Sequence, residues 1–166
     1  MKREVQTIRQ LHEVYIELRK QALEMSPASI DVAVESDSIK PWGILMEMGY
    51  PKRVATLVSF ATGDASLYFS TGGGVLGGIA QESVGSAAKR FVAMAQYHAS
   101  RMETTTSYPL PDPGKVKFYV LMPQGVLAAE SGEQELGRGK SDLSPLFYAG
   151  QDVITRLRIL CQTQER

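Results

Sequence analysis

Residues 53 to 103 constrain the fold most. Two alternating apolar runs flank Thr62-Gly63-Asp64, the run Ser70-Thr71-Gly72-Gly73-Gly74-Val75-Leu76-Gly77-Gly78 follows, and a long amphipathic segment comes next. Val54, Thr56, Val58 and Phe60 alternate with Ala55, Leu57 and Ser59, the period of a strand, and both faces are largely apolar, as in the middle of a sheet. Leu67 and Phe69 return on the other side of the Gly-Asp turn and close a hairpin. Glycine has no Cβ, so a run of glycines marks a turn or a place where backbone meets something closely. The chain therefore passes from a sheet edge to a packed helix through a segment nearly bare of side chains.

The same periodicities organise the rest. Val5, Ile8, Leu11, Tyr15, Leu18 and Ala22 recur at spacings of three and four, which predicts a first helix over about residues 3–24, ended by Ser26-Pro27. A short strand is expected at Ile30, Val32 and Val34. From Trp42 the period becomes two, with Trp42, Ile44, Met46 and Met48 on one side and Gly43, Leu45 and Glu47 on the other. The hairpin and Gly-rich turn occupy about residues 53–78. A second helix over about 80–103 carries Val84, Ala87, Ala88, Phe91, Ala95, His98 and Met102 on one stripe. Pro109, Pro111 and Pro113 make Thr104 to Gly114 an extended connection. Lys115 to Met122 and Val126 to Glu130 read as two more strands about Pro123-Gln124-Gly125, and Ser131 to Ser141 as a surface loop. Ser144-Pro145 opens a third helix, about 145–162, through a hydroxyl cap and a proline in the first turn. The expected architecture is a single α+β domain, a mostly antiparallel sheet of about five strands packed with three helices.

Composition narrows the function classes. At 166 residues the chain suits one domain, which buries roughly 70% of its unfolded surface. Its 18 basic and 18 acidic residues cancel, so no general attraction to nucleic acid or anionic lipid is expected. One cysteine, Cys161, gives no disulfide framework, and no apolar run reaches the ~20 residues a spanning helix needs. Cytoplasmic residence without membrane insertion is the expectation.

Each chemical motif has a structural alternative. Gly72, Gly74 and Gly77 satisfy G-x-G-x-x-G, yet the preceding strands are hairpin-paired and no acid follows at ribose-binding distance, so a dinucleotide fold is not expected. The glycines read first as a turn or a close contact. A small-ligand, nucleotide or anion site made by Gly72, Gly73, Gly74, Gly77 and Gly78 with Lys89 and Arg90 is the second reading. His98 on an apolar stripe, His12 beside another and Cys161 near a helix C-terminus read as packing residues; two histidines and one cysteine are too few for zinc. Glu130, Glu133 and Glu135 read as a charge-balanced loop beside Arg138 and Lys140. No catalytic set, metal site or cofactor is assigned.

In the order of its elements, above all the hairpin Arg53 to Ser70 followed by the Ala-rich helix Ser83 to Arg101, the chain resembles roadblock-type dynein light chains and longin-like, profilin-like domains over residues 42 to 163. That resemblance implies a non-catalytic interaction module that dimerises through a strand edge or a helix face. The leading expectation is a cytoplasmic interaction, scaffold or regulatory domain acting as a homodimer. A ligand-binding protein using Gly72 to Gly78, and an inhibitor or immunity-type partner of another protein, are the alternatives.

Overall fold

Residues 11–30, 39–77 and 81–164 are described in a computed structural model. Their order is α1 (Glu13–Glu24), a 3₁₀ turn (Pro27–Ile30), β1 (Gly43–Gly49), β2 (Val54–Phe60), β3 (Ala65–Phe69), β4 (Gly74–Gly77) and α2 (Glu82–Ala95). A second 3₁₀ turn (Gln96–Arg101), β5 (Glu103–Thr105), β6 (Lys115–Met122), β7 (Gly125–Gly132), α3 (Glu133–Gly137) and α4 (Ser144–Gln164) follow. The strands form one antiparallel sheet in the order β4-β3-β2-β1-β6-β7-β5. The fold class is the expected α+β, with seven strands among the described residues instead of five.

Strand alternation divides the core in two. Ile44, Met46 and Met48 of β1, Leu57 of β2 and Phe118 and Val120 of β6 face α2 and α4, which bury Ala88, Phe91, Leu146 and Leu157 against them. Leu45, Val58, Tyr119 and Leu121 face the opposite way, toward Ala22 and Leu23 of α1. Trp42 belongs to this second cluster and stacks on Phe60 at 6.0 Å. It precedes β1 instead of continuing it, so the alternation that would have put it beside Ile44 does not apply.

Element boundaries differ from the sequence reading at several places. The glycine run is itself an edge strand: Gly72 and Gly73 turn with φ of 106° and 80°, and Gly74–Gly77 pairs with β3. The second helix keeps its stripe but is α-helical only to Ala95 and then tightens to 3₁₀, leaving His98 half-buried. Glu103–Thr105, assigned to that helix and the connection after it, pairs with β7, and the loop after β7 holds α3. At α4 the expected Ser144 cap is displaced: Ser144 is the first helical residue, and Ser141 Oγ accepts the Leu143 amide at 3.2 Å. The first helix, expected over 3–24, begins only at Glu13, because His12 is extended and caps it, and Ile30, expected in a strand, closes the 3₁₀ turn; residues 3–10 of that helix and Val32 and Val34 of that strand lie outside the described residues.

α4 can approach the sheet because it carries Gly150. A Cβ there would lie 2.6 Å from Met46 Cε and 3.1 Å from Phe91 Cζ, whereas Gly137 has open space around it. Gly150→Val is expected to lower unfolding free energy by about 1–3 kcal/mol through overpacking, and Gly137→Ala to change it by less than about 0.5 kcal/mol. Urea unfolding of the two variants measures both.

Candidate functional site

One row of side chains on the α1 face crosses the sheet in register: Glu130, Lys117, Glu47, Thr56 and Tyr68. Glu47 sits on a central strand, and its side chain is fully buried. An isolated carboxylate there would face a desolvation cost of several kcal/mol. Arg19 of α1 meets it with two parallel bonds, Nη2 to Oε1 at 2.7 Å and Nε to Oε2 at 2.8 Å. Arg19 Nη2 also donates to Tyr108 O at 2.7 Å, which ties the proline-rich connection to the same point.

Thr56 Oγ1 donates to Glu47 Oε2 at 2.7 Å, and Tyr15 Oη lies 2.7 Å from Thr56 Oγ1. A hydroxyl has one hydrogen, so Tyr15 must be the donor of that second bond. The relay therefore runs from Tyr15 to Thr56 to Glu47 and requires a protonated phenol. Burial and the Glu47 charge both raise the Tyr15 pKa. The same two causes push Tyr119, whose hydroxyl donates to Pro109 O at 2.6 Å, up to about 12. Burial opposes the Arg19 charge, but the bonds and charge of Glu47 outweigh it and raise the Arg19 pKa.

This network fixes how α1 lies on the sheet, and so shapes the surface around the glycines. His12 precedes α1 and its Nδ1 accepts the Val14 amide at 3.2 Å, while its own amide donates to Ser70 O at 2.7 Å. A Cβ on Gly72 would come 3.1 Å from the His12 ring. One on Gly77 would lie 2.6 Å from Leu157 Cδ2 and 2.9 Å from Ala65 O. Close packing on both sides of the sheet thus accounts for two of the glycines. Gly72, Gly73 and Gly74 line an apolar recess of about 270 Å³ with His12, Val14, Leu18 and Leu76. A second recess, about 240 Å³, lies on the far flank of α1 beside Leu11, Ile16 and Leu110.

The basic residues considered with the glycines do not join them. Lys89 lies over Gly63 in the β2–β3 turn, its Cε 3.3 Å from where a Cβ would stand, and Arg90 pairs with Asp152 of α4 at 3.4 Å. Gly77 faces Leu157 outside the recess, and Gly78 lies outside the described residues. His98 has its pKa lowered by burial and by Arg101, with Asp142 acting in the other direction. Cys161 is a half-buried thiol on α4. Glu130 ends up beside Lys117, and Glu133 and Glu135 lie on α3; among the described residues no three His, Cys, Asp or Glu side chains converge as a metal site. No helix of the described residues is long and apolar enough to cross a membrane.

Sequence reading placed Glu47 on a strand face opposite the methionines without giving it a partner. Its signal was present, one acid inside an otherwise apolar strand; Arg19, 28 positions earlier, could not be matched to it without the fold. No family model, curated protein or solved structure matches this chain.

Removing one member of a buried pair strands the other. Arg19→Met is expected to cost about 3–5 kcal/mol, and adding Glu47→Leu to recover most of the loss, as read by denaturant unfolding. Tyr15 and Tyr119 supply an alkaline test. Because the Tyr119 pKa rises from the ordinary 10.0 to about 12 on folding, the stabilisation is complete below the unfolded value and is lost as pH climbs through the folded one. Unfolding midpoints should therefore fall between about pH 10 and 12, and fall less in a Tyr15→Phe/Tyr119→Phe protein.

Proposed function

We propose that this chain is a cytoplasmic, non-catalytic interaction module that self-associates through the face built from α1 and the β3–β4 hairpin. The observation that carries this reading is the grouping of exposed apolar side chains on that face. Val14 and Leu76 border the recess at the glycines and are 57% and 72% exposed; Leu11 and Ile16 border the second recess on the other flank of α1. Scattered exposed leucines need no explanation, but a contiguous apolar patch beside a concave surface is the mark of a contact site.

The neighbouring edge supports the same reading. β4 ends the sheet, and its sequence Gly74-Val75-Leu76-Gly77 contains none of the lysines, prolines or other charges with which proteins blunt an exposed edge. A two-fold axis beside it would place the same patch of both copies in contact. The resemblance to roadblock-type and longin-like domains implies dimerisation of this kind, and a lone thiol suits a reducing compartment. A nucleotide at the glycines is less well supported, since Gly72 and Gly77 already pack against His12 and Leu157, and Lys89 and Arg90 lie elsewhere.

Light scattering during size-exclusion chromatography tests the proposal. At tens of micromolar the protein is expected to show twice the 18.2 kDa chain mass. Val14→Glu/Leu76→Glu should run as a monomer with unchanged circular dichroism. A monomeric wild-type protein at that concentration would remove the self-association reading.

A further inference from the structure

The two ends of the sheet are built differently. At the end away from β4, β5 covers β7 only from Val126 to Ala128, and β7 continues from Ala129 to Gly132 with no strand of the described residues on that side. The phase of the β6–β7 ladder decides what this exposes. Glu133 N–H donates to Gly114 O at 2.9 Å, so hydrogen-bonded pairs recur at Val116–Ser131 and Phe118–Ala129. The main chains at Lys117–Glu130 and Tyr119–Ala128 consequently turn away from each other. Ala128 meets Glu103 of β5, but the N–H and C=O of Glu130 point past the end of β5, where no strand of the described residues stands beside them.

A cavity of about 630 Å³ opens at this notch, within the roughly 300–1,000 Å³ usual for binding sites. Ser107 and Pro109 wall one side of it, and Ser141 to Leu143 the other. Its charges are of both signs. Arg101 pairs with Asp142 at 2.6 Å and Lys117 with Glu130 at 3.7 Å, while Glu103, also lining the cavity, has no ion-pair partner among the described residues. A polyanion such as nucleic acid would meet these carboxylates, whereas an extended peptide bearing a cation would find both a strand edge and an acid for its side chain.

We propose that this notch receives an extended segment of a partner protein, whose main chain adds to β7 at Glu130 and whose lysine or arginine meets Glu103 and Asp142. The site lies at the opposite edge of the sheet from the self-association face and does not depend on it. Binding here extends the sheet beyond the point where β5 turns away.

Fluorescence anisotropy with two labelled hexapeptides of alternating threonine and valine, one carrying a central lysine and the other a central glutamate, tests the proposal on the intact protein. The lysine peptide is expected to saturate and the glutamate peptide to bind at least about tenfold more weakly at low salt. Glu103→Gln/Asp142→Asn should narrow that difference. Glu130→Pro removes only an outward amide from the main chain, a change tolerated where the N–H does not serve the ladder, and should weaken the lysine peptide far more than Glu130→Gln does. If Glu130→Pro does not fold, a lysine peptide with one backbone amide replaced by an ester, moved through each position in turn, makes the same test from the ligand's side. Failure of both peptides to saturate, equal affinity for the two, or indifference to both the proline variant and every ester probe would overturn the proposal.

Discussion

The ion pair between Arg19 and Glu47 sets the position of α1, and with it one whole face of the molecule. Few apolar contacts hold that helix: only Tyr15, Ala22 and Leu23 of its twelve residues are buried. An amphipathic helix normally docks by its stripe, but here a guanidinium fork aimed at a fully buried carboxylate supplies the direction. Such pairs contribute little net stability compared with a well-packed apolar substitute, and their best-attested use is to select one arrangement among several. Tyr15, bonded to Thr56 of β2 at 2.7 Å, adds a polar attachment one turn earlier in the helix. With these attachments, His12, Tyr15 and Val14 are held against the β3–β4 hairpin.

That dependence explains which parts of the molecule were legible in the sequence. Strand and helix periods read well wherever the apolar faces of an element had a complete layer to bury against, as in Val54 to Phe60 and in Val84 to Phe91. They failed where the layer was incomplete. Glycine-rich β4 carries too few side chains to show alternation, and three-residue β5 is too short to show any, so both edges of the sheet were hidden while its centre was not. The stripe of the first helix was read correctly at Tyr15 and Ala22, but Leu11 is exposed, because it precedes the His12 cap and lies outside the helix. The glycines were legible as a place of close approach, and the structure names the neighbours: the His12 ring and Leu157. What approached them could not be read, since it depends on the placement of α1 and α4.

The contrast between the edges carries the functional reading. β4 is uncharged and lies beside exposed apolar side chains, while β5 and the free stretch of β7 lie among Arg101, Glu103, Lys117, Glu130 and Asp142. An uncharged edge has nothing to repel its own copy. A charged one selects by complementarity and excludes most strangers, which is how protein surfaces separate one partner from another. One sheet can thus present two edges of unlike specificity without either interfering with the other.

The polar row across the α1 face joins these two regions physically. Lys117 stands in register between Glu47 and Glu130, so the lysine that lines the notch is also the cross-strand neighbour of the carboxylate that anchors α1. Tyr108 lies near the same junction: its carbonyl accepts from Arg19, its ring meets Tyr119 edge-on at 5.6 Å, and the adjoining Pro109 forms part of the notch wall. The anchor of the helix and the rim of the groove therefore lie on one cross-strand row of polar side chains, with Lys117 standing between them.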